Sequence, residues 1–447
     1  MTALRIGAGA GYSGDRIPPA IELAEKGQLD YLVFECLAER TIALAQLERS
    51  QNSNLGFDPL LAVRMQAVLP TCMAQGIKII TNMGAANPLA AGHEVVRVAR
   101  ELGLKKLTVA VVTGDDVLAA IQQQGQAHDL PLIDGDTTLA SIRNSVISAN
   151  AYIGAQGIVD ALAQGADVVI TGRVADPSLF TAPLIHEFGW AMDDWDRLGK
   201  ATLIGHLLEC AGQITGGYFA DPGFRDVPDL AKLGFPLAEV SSDGNAIITK
   251  VAGSGGCVTV PTCASQLLYE IENPAAYLQP DVVADFSHVM LTQVSVDRVR
   301  VSGATGRQRP DKMKVTVGHR DGFIGEGQIS YAGPGAQARG QLALDVLQAR
   351  LAGTQALDSR FDLIGINSIH GTAFGADHTP YEVRARAAMR VATRQEAEHV
   401  AHEVEAMYLN GPASGGGVTK SVREVIAAAS VLIPREWVQT FVTLLEV

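Results

Sequence analysis

Residues able to do chemistry gather in a few short, glycine-rich stretches. The first, "LRIGAGAGYSGDR" (residues 4–16), holds Gly9, Gly11 and Gly14 in the spacing G-x-G-x-x-G, followed by Asp15 and Arg16. Backbone N–H groups of such a turn can cradle a phosphate or a carboxylate. Gly9, Gly11 and Ser13 would then bind substrate, Arg16 would hold its anion, and Asp15 would react or orient. The same spacing fits a dinucleotide fingerprint, which also needs an acidic residue about 20 positions on. Glu35 stands 21 residues after Gly14. Against NAD or FAD, "SGDRIPP" puts a charge pair and two prolines where the third glycine should pack inside a helix. The bland readings are a tight turn that only shapes a pocket and an Asp15–Arg16 ion pair at a helix entry.

Four more stretches follow. "TNMGAANP" offers the amides of Asn82 and Asn87 to a substrate carbonyl or carboxylate, or forms a plain Asn turn. "TGRVADPSLF" sets Arg173 and Asp176 just after an apolar run. A guanidinium there suits a carboxylate or phosphate, while Asp176 could simply cap the next helix. "GHLLECAGQ" places His206, Glu209, Cys210 and Gln213 on one helical face. That set suits acid–base or nucleophilic work, or a core cysteine beside a surface His–Glu pair. "VAGSGGCVTVP" leads Gly255 and Gly256 into a helix start, another anion-binding arrangement. The proton-transfer candidates are therefore Glu35, Asp15, Asp176 and His206. The substrate-binding candidates are Gly9, Gly11, Ser13, Arg16, Asn82, Asn87, Arg173, Gly255 and Gly256. No zinc-ligand spacing, Walker loop, H-E-x-x-H or G-x-S-x-G pattern occurs, so no metal site or cofactor is identified.

Alternating elements must position these groups. "LRIGAG", "DYLVFEC", "IKIITNMG", "KLTVAVVTGDD" and "GADVVITGRVAD" read as strands, separated by helical patterns. That order implies βαβ units and an α/β fold: a mostly parallel, Rossmann-like sheet with helices on both faces. Ligands bind beyond the carboxyl ends of such strands, and every stretch above that follows a strand lies there. From about residue 285 apolar and polar residues alternate, as in half-solvated antiparallel strands. The expected division is an α/β domain over residues 1–284 and a smaller α+β domain over 285–447.

Composition narrows the partners. The 447 residues are 47% hydrophobic and 19% charged, with a net charge of −13. An acidic chain lacks the clustered Lys and Arg of a nucleic-acid surface, though a local arginine can still bind a small anion. No signal peptide or membrane span is evident, and five scattered cysteines fit a reducing, cytoplasmic setting. A homo-oligomer is compatible with the Ala-rich helices.

Taken together, "GAGAGYSGDRIPPAIELAEKGQLDYLVFECLAERTIALAQ", "TGRVADPSLF", "LLECAGQITGGYFADPG", "GSGGCVTVPTCASQLLYEI" and "NGPASGGGVTKSVREVI" resemble the acyclic terpene utilisation protein A family. The resemblance covers nearly the whole chain, in a short form without the extra C-terminal domain of larger relatives. It implies catabolism of branched acyclic terpenoids through CoA thioesters, with cleavage of a 3-hydroxy-glutaryl-CoA type intermediate as a proposed step. It carries over no catalytic residues. The expected function is a lyase- or hydratase-type enzyme acting on a small carboxylate or acyl-CoA, CoA entering as part of the substrate. The alternatives are a non-catalytic acyl-CoA or metabolite-binding subunit and a nucleotide-dependent oxidoreductase.

Overall fold

The apolar runs of the first half become strands β1 (Leu4–Ala10), β2 (Tyr31–Phe34), β3 (Lys78–Thr81), β4 (Thr108–Thr113), β5 (Val146–Ala151) and β6 (Val168–Thr171). The computed structural model describes residues 3–124, 129–133, 135–371 and 379–447. Strands β1, β2, β3, β6 and β4 lie side by side in that order, all parallel. Every residue of β2 and β6 is buried. Successive strand residues face opposite ways, so both faces of this centre are covered. Helices α1 (Pro18–Lys26), α2 (Glu39–Gln51), α3 (Leu61–Gln75), α4 (Pro88–Glu101), α5 (Leu118–Gln123), α6 (Gln156–Ala163), α7 (Ser178–Phe188) and α8 (Trp195–Leu208) fill the crossovers. Proline opens α1 and α4, where the missing N–H costs nothing. Gly76 closes α3 in the left-handed conformation, φ 72°.

The sheet does not stop at its parallel centre. Strands β7 (Pro236–Val240) and β8 (Ala246–Lys250) add to β1 as an antiparallel hairpin. After α9 (Val260–Leu268), strands β9 (Tyr277–Leu278) and β10 (Val283–Asp285) join β13 (Thr305–Arg307) in a small separate sheet. The hairpin of β11 (Met290–Ser295) and β12 (Arg298–Ser302) returns to β8. At the far edge, the last strand β18 (Phe441–Glu446) pairs antiparallel with β4. The result is one mixed ten-stranded sheet among the described residues, not a mostly parallel one. Connection length explains the two hairpins, because short turns can only join antiparallel neighbours.

Two compact units result, residues Met1–Gly318 with Ala428–Val447, and residues His319–Ala427. The second holds β15 (Ala356–Ile364), β16 (Glu382–Val391) and most of β14 (Lys312–Ala332) and β17 (Gly416–Pro434), in the order β15–β16–β14–β17; β16 pairs antiparallel with both β14 and β15. Its alternating pattern buries Ile329, Tyr331, Ala385 and Ala387 against Leu344 and Leu347 of α10 (Ala336–Leu351) and Val404 and Met407 of α11 (Arg394–Asn410).

Within the first unit the opening loop meets the end of α8. A Cβ added at Gly11 would come within 2.5 Å of the Cys210 carbonyl carbon, whereas one at Gly14 would meet only the ring of Tyr12, which is exposed. Gly11→Ala should therefore cost about 1–3 kcal/mol in urea unfolding, as overpacking against rigid backbone does. Gly14→Ala should stay within about 0.5 kcal/mol, because a solvent-facing ring can turn away.

Candidate active site

At the end of β2 the chain buries an acid. The Glu35 carboxylate accepts from Leu37 N (2.8 Å) and from Asn82 Nδ2 (2.9 Å), while Asn82 Oδ1 accepts from Cys36 N (2.7 Å). Asn82 follows β3, so its amide staples two strand ends and fixes Glu35. Burial pushes the Glu35 carboxyl well above its ordinary range; the neighbouring Asp176 adds to the shift and Arg173 opposes it.

Arg173 follows β6 and is 1% exposed. Its main-chain N–H donates to Asp115 Oδ2 (2.8 Å), and Asp115 also accepts from Asn150 Nδ2 of β5 (2.9 Å). Asp115 follows β4. A Cβ at Gly172 would lie 2.4 Å from Asp115 Oδ1, so only glycine admits that carboxylate. The guanidinium donates through Nη1 to Leu37 O and through Nη2 to Asp176 Oδ1 (2.7 Å), while its Nε is buried without a partner. Its carbon sits 4.1 Å from the Tyr152 ring centroid, a cation–π contact.

Asp176 does not cap α7; no side-chain cap bond is made there, and its carboxylate turns to Arg173 instead. The side chain keeps 31% exposure. Burial of its inner part pushes its pKa up to about 7; Arg173 opposes the rise, and Glu209 and Glu39 add to it. Glu39, at the start of α2, receives the Tyr152 hydroxyl and lies 3.2 Å from Lys314 Nζ. Burial pushes Glu39 up, but Tyr152, Arg173 and Lys314 outweigh it and hold it down to about 2.

A second acid pair closes the cluster. His206 Nδ1 lies 2.8 Å from Glu209 Oε1, and Nε2 lies 3.3 Å from Leu267 O. Glu209 Oε2 is buried without a partner. Burial raises the Glu209 carboxyl, with His206 opposing; burial works against the His206 imidazolium, but Glu209 wins and raises it.

The opening loop is occupied from within. Gly11 N (2.9 Å) and Arg16 N (2.8 Å) both donate to the Asp15 carboxylate, so the anion on these donors is the chain's own. Burial raises the Asp15 carboxyl. Arg64, fully buried in α3, holds the loop's far side through Ser13 O (2.9 Å) and Asp15 O (3.2 Å). Gly9 lies on the Phe34 ring, where a Cβ would come within 2.6 Å.

Of the residues singled out in the sequence, Glu35, Asn82, Arg173 and Asp176 form one connected cluster, with His206 adjoining through Glu209. Others point elsewhere. The Arg16 side chain is exposed. Asn87 Nδ2 ties down the 53–55 segment through Ser53 O (2.8 Å) and Leu55 O (2.9 Å). Gly255 N and Gly256 N donate to Lys232 O (2.9 Å) and Pro228 O (2.8 Å). Asp115, Tyr152, Glu39 and Arg64 were not singled out. Arg64 left a signal: an arginine inside the apolar helical stretch "PLLAVRMQAVLP". Asp115 lies in a strand-end loop, but nothing in "VVTGDD" separates it from Asp116. Among the described residues no three His, Cys, Asp or Glu side chains are grouped to hold a metal ion.

Residues 4–444 match the family described as acyclic terpene utilisation family protein AtuA. No curated protein matches the chain.

Removing Arg173 leaves its carboxylates unpaired. Arg173→Met should cost about 3–5 kcal/mol at pH 8, as breaking a buried pair does. Without the cation, the folded-state values of Glu35 and Asp176 rise further above the unfolded ones. The variant's deficit should therefore stay level while both folded proteins hold these protons and grow as pH rises through about 7, where wild-type Asp176 ionises and the variant's does so less. Urea titrations of both proteins at pH 4.5 and 8 measure it.

Proposed function

Because the chain belongs to the acyclic terpene utilisation protein A family, we propose that it is a catabolic enzyme running acid–base chemistry on an acidic organic substrate, such as a branched acyl-CoA thioester. The observation that carries this reading is the carboxyl pair Glu35 and Asp176 held about one arginine, Arg173, at the carboxyl ends of parallel strands. Strand carboxyl ends are where open α/β sheets bind ligands, and the parallel order β1–β2–β3 supports the Rossmann-like reading of this centre.

Asp176 is the residue that meets substrate. It has an exposed edge, and a carboxyl poised near neutrality both takes and returns protons. As carboxylate it removes a proton from a hydroxyl, or from the carbon beside a thioester carbonyl, in a lyase or hydratase step. Glu35 is the buried acid, whose enclosure raises its carboxyl well above the ordinary range and so favours its protonated form. Arg173 offsets the negative charge that develops on oxygen, a preorganised electrostatic role. Asn82 acts through Glu35 and is a positioning residue. The five unpaired cysteines support a reducing, cytoplasmic compartment.

Thermal-shift screening of the chain against CoA, acyl-CoAs, di- and tricarboxylates and NAD tests the reading. A ligand at a hundred times its dissociation constant adds about 2.7 kcal/mol of stability. A thioester or polycarboxylate should stabilise the protein and be turned over. Asp176→Asn should still bind it while turnover falls by about 10²–10⁴-fold. Stabilisation by NAD alone would contradict the reading, and binding without turnover in the wild type would reduce the protein to a binding subunit.

A further inference from the structure

The second unit runs β14–α10–β15–β16–α11–β17, and its strands lie in the order β15–β16–β14–β17. This is the split βαβ arrangement, a sheet with its helices on one face. Gly325 and Gly327 of β14 lie against that layer, where an added Cβ would meet Ala397 or Val404 of α11. At one edge of the sheet stands β15. Among the described residues only β16 pairs with it. Residues 356–360 are all exposed. The strand, "ALDSRFDLI", holds neither the lysine nor the proline that commonly blunts a free edge.

The outer side of this edge is free to pair. The ladder with β16 is regular from Asp358 onwards. In such a ladder alternate residues turn their N–H and C=O groups away from the partner strand. Here Ser359, Phe361 and Leu363 do so. Ser359 N donates to the adjacent Asp358 carboxylate (2.8 Å), and Leu363 N to the Asn367 side chain (2.7 Å), not to β16. The side chains sort by face in the same alternation. Phe361 and Leu363 pack in the helix-side core, so Asp358 and Arg360 lie on the opposite face. Arg360 Nε donates to Asp362 Oδ1 (3.0 Å) and Nη2 to Ser368 O, while Nη1 makes no bond among the described residues. Asp358 forms no ion pair among the described residues.

We propose that β15 pairs antiparallel with β15 of a second copy of this chain, about Ser359, so that two edge strands close one another. A two-fold interface of this kind is isologous, so the strand must be its own complement. It is. With Ser359 at the centre, Ser359 exchanges main-chain hydrogen bonds with Ser359 of the copy. Asp358 then stands opposite Arg360 of the copy, on the same face, and the symmetry repeats the pair. Opposite charges facing one another across antiparallel strands stabilise the pairing, and like charges oppose it. Moving the centre one residue, to Arg360, would set Arg360 against itself and Asp358 against Asp362. The charges therefore fix the register as well as the partner. The proposal does not depend on the acid–base reading.

Sedimentation velocity of the full chain tests it, over a concentration series reaching about 500 µM because small interfaces associate weakly. The wild type should approach twice the chain mass. Asp358→Arg and Arg360→Asp each set like charges opposite one another at both symmetry-related positions, and each should weaken dimerisation by about tenfold or more. Mixed in equal amounts, the two variants regain opposite charges in the heterodimer, and the mixture should dimerise within about threefold of the wild type. Ser359→Pro removes the central donor, which β16 does not use, and should abolish the dimer with the far-UV circular dichroism unchanged. A wild type that stays monomeric overturns the proposal. So does a dimer that any of the three variants leaves intact, or a mixture no more dimeric than its components.

Discussion

A guanidinium that cannot reach water governs this site. Arg173 is almost fully buried and always charged, so the fold must supply acceptors and counter-charge around it. Each neighbouring strand end provides one part. The β2 end gives a carbonyl, from Leu37, and the acid Glu35. The β4 end gives Asp115, which fixes the arginine's own main chain. The β6 loop gives Asp176. The aromatic face of Tyr152 covers the remaining side. Parallel pairing brings these ends to one edge of the sheet, so the register of the centre and the geometry of the site are the same constraint.

One cation serves more acids than it can neutralise. Glu35, Asp176 and Glu209 all lie within its influence, and like charges this close cannot all ionise. Their differing environments set their roles. Glu35 is fully enclosed, and burial with the neighbouring Asp176 raises its carboxyl well above the ordinary range, against Arg173 and the Leu37 and Asn82 donors that favour its charged form. Asp176 keeps an open edge and titrates near neutrality. Glu39, further out with Lys314 and the Tyr152 hydroxyl, stays ionised. Environments that drive neighbouring carboxyls apart are how one site can hold an acid and a base together.

Much of this was legible in the sequence because it is local. Strand ends followed by "FEC", "TNMG" and "TGRVAD" placed Glu35, Asn82, Arg173 and Asp176 at one edge, since a parallel βαβ order leaves little choice. The antiparallel flanks were not legible as part of the same sheet. Strand β12 alternates buried and more exposed residues, while β11 and β18 bury none, and whether such strands join a distant sheet or form their own depends on long-range pairing. The opening loop misled for a different reason. Its glycines do serve close approaches, at Phe34 and at Cys210. The spacing cannot reveal that Asp15, four residues on from Gly11, turns back to take the free N–H groups itself. Gly255 and Gly256 looked equally available for an anion, yet neighbouring carbonyls take their N–H groups. Arg64 and Asp115 act through the groups they hold, and only the folded chain reveals those.

The central claim is the proposed division of labour between the two acids: a Glu35 that burial holds towards its protonated form, beside an Asp176 that titrates near neutrality. Infrared difference spectroscopy of the wild type against Glu35→Gln and Asp176→Asn, followed through a pH titration, reads this directly. The account predicts that Glu35→Gln removes a protonated-carboxyl stretch present at pH 7, and that Asp176→Asn removes one that fades as pH rises through about 7. Loss of only carboxylate bands in both variants at pH 7 would contradict it, because both acids would then be ordinary ionised groups.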